Sequence, residues 1–101
     1  MRTVEWLMRN GEGLRDKITV EGVVRQVSAK ARALALIDVQ EFRECGLKAC
    51  AEYELPVRWQ GAMPAVGRGV RASGFVEKAR GKLVFVARSI EAFDVPATEA
   101  K

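Results

Sequence analysis

The sequence predicts an all-β domain, a small barrel of five antiparallel strands behind a short N-terminal helix. Three observations predict it. Five segments read as strands, at 18–28 (rich in β-branched residues), 32–39, 55–59, 70–78 and 82–90, and turn chemistry separates them. Two of them carry an internal glycine, Gly22 and Gly74, where a bulge or bend lets a sheet curve far enough to close. A chain of 101 residues, 49 % hydrophobic and 30 % charged, makes one soluble globular domain with one modest core.

Each element has its own signal. Thr3 caps a helix over 4–9, with Val4, Leu7 and Met8 on one face. Asn10 and Gly11 close it through the left-handed conformation that both residues tolerate. Leu14 anchors the link to the first strand. There Ile18, Val20 and Val24 face one side, and Val27 rejoins them after a register change. Ala29, Lys30 and Ala31 turn the chain into the second strand, RALALIDV; its length and its β-rich neighbour favour strand over helix. Residues 40–54 form a long irregular excursion with room for one helical turn. In the third strand, LPVRW, Pro56 marks an edge or the strand's start, because proline cannot donate to a ladder. The loop QGAMPAVGRG leads to the fourth strand. Ala79, Arg80 and Gly81 make a hairpin turn into the fifth. The domain is expected over 1–95, with a flexible tail at 96–101.

The absences are as informative as the motifs. The chain has no histidine, which removes the commonest general base, the commonest metal ligand and every Ser-His or Cys-His nucleophile pair. The expectation is a protein that is not an enzyme and has no cofactor or metal. Cys45 and Cys50 make neither a CxxC motif nor a zinc set, and fit free buried thiols. No run approaches the roughly 18–20 apolar residues of a membrane span. Glu5, Arg9 and Glu12 break the N-terminal stretch where a signal peptide needs an apolar core. No membrane association and a cytoplasmic location are expected.

Charge is unevenly spread. The formal net charge is +4. From Arg58 to Arg88 there are seven basic residues and one acid, Glu77, whereas Glu41, Glu44, Glu52 and Glu54 crowd the 40–54 excursion. The first arrangement suits a polyanion and the second a protein partner, unless both are simply solvated surface.

At this point the chain resembles the OB-fold of tRNA-anticodon-like and replication-protein-like nucleic-acid binding domains. VEGVV (20–24), ALIDV (35–39), VGRGVRASGFV (66–76) and GKLVFVARSIE (81–91) carry the resemblance, which covers roughly 3–93. It implies a Greek-key barrel and a binding face over the second and third strands, flanked by the loops after the first and fourth. It also implies that Asp38, at a strand end, hydrogen-bonds a turn. The usual helix between the third and fourth strands has no candidate. Either it is lost or the leading helix plugs that end. A narrower likeness joins VRWQGAMPAVGRGVRASG to the periplasmic haem chaperone family, through Trp59, Gly61, Pro64 and Gly69. Without a histidine, that family's haem attachment does not carry over.

The flanking loops hold Lys30 and Arg32 after the first strand, and Lys78, Arg80 and Lys82 after the fourth. They are expected to meet at one end of the barrel. Arg58 on the third strand extends the patch, with Arg25, Arg71 and Arg88 beside it. Tyr53, Trp59 and Phe75 are the candidate stacking platforms that a single strand needs beside its phosphate track. Each has packing as its alternative. The functional expectation is a binding module for single-stranded DNA or RNA. The alternative is a protein-interaction domain that uses the 40–54 loop.

Overall fold

The computed structural model describes residues 2–45 and 53–93. Cys50, residues 46–52 of the excursion and the expected tail at 96–101 lie outside the described residues. In chain order the elements are β1 (Arg2–Thr3), α1 (Val4–Asn10), β2 (Ile18–Ser28), β3 (Ala33–Ile37), α2 (Val39–Cys45), β4 (Glu54–Arg58), β5 (Gly69–Ala79) and β6 (Lys82–Phe93).

All five expected strands form, as β2 to β6. The sheet runs β1-β2-β3-β4-β6-β5, and β2 also pairs with β5, so the five long strands close into a barrel. The expectation of purely antiparallel pairing is corrected. Val57 and Arg58 of β4 pair in parallel with Phe85 and Val86 of β6, and this is the pairing that joins the two halves of the wall. The two-residue β1 also lies parallel to β2, at Val20 and Glu21.

Alternation sorts the side chains. Val20 and Val24 of β2, Leu34 and Leu36 of β3, Leu55 and Val57 of β4, Val70 and Ala72 of β5, and Phe85 and Ala87 of β6 fill the interior. Val4 and Leu7 of α1 enter the same cluster, both fully buried. After the register shift between Val24 and Gln26, Val27 returns to the inner face opposite Leu34, though at that strand end it stays 38 % exposed.

The glycines act by close approach. Gly22 causes no register shift, contrary to expectation; the irregularity in β2 lies between Val24 and Gln26. At Gly22 a Cβ would stand 2.9 Å from both Val4 Cγ2 and the Ile37 carbonyl oxygen, so glycine lets α1 settle against the wall. At Gly74 a Cβ would fall 2.0 Å from the Val86 carbonyl oxygen, where the β5–β6 register shifts.

Helix α1 begins as expected, with the Thr3 hydroxyl accepting from Trp6 N–H at 3.0 Å. Its end is corrected. Gly11 has φ −78°, a right-handed value, and is buried against the Leu7 carbonyl; the left-handed residue is Gly13, at φ 87°. The helix packs on β2, β3 and β4, sealing the end where β3 stops and β4 starts. The connection over 59–68 holds no helix and ties back to β2, where Gly67 N–H donates to the Val24 carbonyl.

Asp38 joins the helices to the wall. It is only 4 % exposed. Its Oδ1 accepts from Gln40 N–H at 2.9 Å, capping α2, and its Oδ2 accepts from Glu5 N–H at 3.0 Å, in the first turn of α1. One carboxylate therefore meets the positive ends of two helices.

Candidate functional site

Strand direction decides which cations can meet. β2 and β4 run the same way, so the turn over 29–32 lies at the far end of β4, where the Arg32 carbonyl accepts from Trp59 N–H at 3.0 Å. β6 runs parallel to β4 and starts at Lys82, three residues before the Phe85–Val57 pair. The Arg80–Gly81 turn therefore lies at the near end of β4. The expectation that the two basic loops share one rim is corrected: they stand at opposite ends of the barrel, because a strand separates each loop from the other's side.

At the α1 end, Lys78 is bound to Glu12 in an exposed ion pair. That hydrogen bond, and then the lysine's charge, holds the Glu12 carboxyl below its ordinary 4.5. Arg80 and Lys82 are exposed beside it.

The opposite end builds a denser arrangement. Residues paired across a ladder share a face. Ser28 pairs with Ala33, Ala33 with Arg58, Arg58 with Val86, and Val86 with Phe75. These five outward positions form one continuous tier that wraps the wall. The 29–32 turn stands over its start and holds exposed Lys30 and Arg32, the latter donating to the Gln60 carbonyl at 3.3 Å. Arg32 takes a left-handed φ of 55° in that turn. At the other end of the tier the Arg88 guanidinium lies over the Phe75 ring, 5.7 Å from its centroid. Lys30, Arg32, Arg58 and Arg88 form no ion pair with a carboxylate among the described residues.

Arg25 and Arg71 are placed differently. Arg25 faces Glu54 across β3 at 3.7 Å, and Arg71 pairs with Glu21 at 2.9 Å while covering the Phe93 ring. Arg71 sits on the β2–β5 seam with the bonded hydroxyls of Thr19 and Ser73, so that side of the wall carries compensated charge.

The three aromatic candidates also divide. Tyr53 and Trp59 flank β4 at its two ends, and both pack against the core cluster. Trp59 Nε1 donates to the Ala62 carbonyl at 2.9 Å, which fixes the ring into the 59–68 connection. Phe75 alone of the three lies on the outward tier. Its signal in the sequence was its alternation with Arg71 and Ser73.

Beside the tier runs a groove of about 400 Å3, lined by Gln26, Val27, Ser28, Ala33, Leu34, Ala35, Glu54 and Pro56. Its floor is low because Ala33, Ala35 and Pro56 are small outward residues. On the near side of the groove, α2 packs against β2. Val23 and Ile37 point outward by alternation yet are fully buried there. No sequence signal marked the groove, which exists only once three strands stand in register.

Among the described residues no group of three or more metal-ligating side chains occurs. None of their helices is long and apolar enough to cross a membrane. The chain matches no family model and no curated protein.

Proposed function

We propose that this barrel is a non-catalytic OB-fold module that binds single-stranded nucleic acid across the tier from Ser28 to Phe75. The order of the long strands, β2-β3-β4-β6-β5 and back to β2, supports the OB-fold reading. The observation that carries the functional reading is the set of four cations, Lys30, Arg32, Arg58 and Arg88, around one outward tier and without carboxylate partners among the described residues. Phosphates are held by such a track, and Phe75 with Arg88 offers a stacking surface for a base. Stacked bases contribute about 1–3 kcal/mol each.

The test is fluorescence anisotropy of a labelled single strand of about 12 nucleotides, titrated with salt. Four neutralised phosphates give a log–log slope near −3, at about 0.7 per phosphate on a single strand. Arg58→Glu is expected to weaken binding about tenfold and flatten the slope by about one, while Lys82→Glu, at the other end, changes little. No binding at micromolar protein in low salt, or a flat salt response, overturns the reading.

A further inference from the structure

We infer that the groove beside the tier selects bases that carry an exocyclic amino group, with Glu54 as the residue that reads it. The inference rests on the nucleic-acid reading above and adds a base preference to it. Three observations carry it. First, the groove and the cationic tier share Ser28 and Ala33. A strand whose phosphates meet Lys30, Arg32 and Arg58 therefore has its bases within reach of the groove. Second, the groove is walled by sheet, floored by Ala33, Ala35 and Pro56, and large enough at about 400 Å3 to fall in the range of small-ligand clefts, about 300–1,000 Å3. An apolar floor takes the flat face of a base without competing for its polar edge.

Third, the polar groups at the groove are not neutral in what they accept. Glu54 lies on its lining and its side chain is 38 % exposed. Its Oε2 faces Arg25 at 3.7 Å, a loose pair that leaves its other oxygen available as an acceptor. An ionised carboxylate can only accept hydrogen bonds. Cytosine offers an amino donor where thymine and uracil offer a carbonyl oxygen, which a carboxylate repels. Gln26 and Ser28 both donate and accept, and do not discriminate.

Oligo(dC) and oligo(dT) of equal length test this, because the two bases match in size and the strands in charge. At neutral pH the protein is expected to bind oligo(dC) about five- to tenfold more tightly than oligo(dT). Glu54→Gln is expected to reduce that ratio to about twofold or less, chiefly by strengthening oligo(dT) binding, since an amide can donate to the thymine carbonyl. Circular dichroism confirms that the variant folds. Equal, salt-dependent binding of both strands overturns the inference and leaves the nucleic-acid reading standing. A preference that survives Glu54→Gln overturns the assignment to Glu54. Failure of both strands to bind overturns the parent reading, and the base preference with it.

Discussion

Asp38 is the residue on which the most local structure depends. Both of its oxygens accept backbone N–H groups, one from each helix, and it is nearly buried. Asp38→Ala strands both donors and is expected to cost about 2–3 kcal/mol, read as a lower denaturant midpoint at unchanged slope. Gly74 is as unforgiving for a steric reason. Gly74→Ala drives a methyl into the Val86 carbonyl, and the variant is expected to lose several °C in Tm or to fail to fold. The Glu12–Lys78 pair behaves oppositely. Its folded carboxyl is held below 4.5, so its contribution is present above that value and fades as pH falls through the lower folded value. Lys78→Met is expected to return the Glu12 titration towards 4.5 by NMR. Both side chains are exposed, so Tm at neutral pH should barely move.

Among elements, the start and the buried face of α1 were legible because their signals are local. Thr3 at the cap and Val4, Leu7 and Met8 on one face are all readable within eight residues. Thr3→Ala is expected to cost about 1 kcal/mol by chemical denaturation. Its C-terminus was misread because Gly11 serves by its missing side chain, packed against the Leu7 carbonyl one turn earlier, and not by a left-handed turn; the residue type alone fits both roles. Helix α2 was legible only as room for a single turn. Its charges and the cysteine at its end hide an apolar face that needs only to cover Val23 and Ile37. The register change in β2 was legible in the valines, whose spacing switches between Val24 and Val27, but Gly22 is not its cause: a glycine in a strand signals a bulge, a bend or a close neighbour, and only the partner strand tells which.

For the whole molecule, the five strands and their interior faces followed from alternation, while closure did not. The parallel β4–β6 pairing joins residues about 28 apart in sequence, and no local pattern encodes it. The same gap explains the site. Composition showed an excess of bases between Arg58 and Arg88, but which of them meet is set by strand direction, and this separated Lys78, Arg80 and Lys82 from Arg58. Phe85 lies at the junction, fully buried where β6 meets both β4 and β5. Phe85→Ala is expected to cost about 3–5 kcal/mol. Against the roughly 5–15 kcal/mol that holds a domain of this size together, calorimetry should show a much lower midpoint or no cooperative transition.

The tier that carries the cations is curved, and curvature selects by stiffness. The barrel measures 27 × 22 Å in its shorter dimensions, while duplex DNA resists bending over lengths of about 50 nm. A polymer that follows the tier from Lys30 to Arg88 has to bend on the scale of the barrel's own width, which a single strand does freely and a double helix does not. The shape of the wall alone would therefore favour the pliable form of a polyanion over its rigid one.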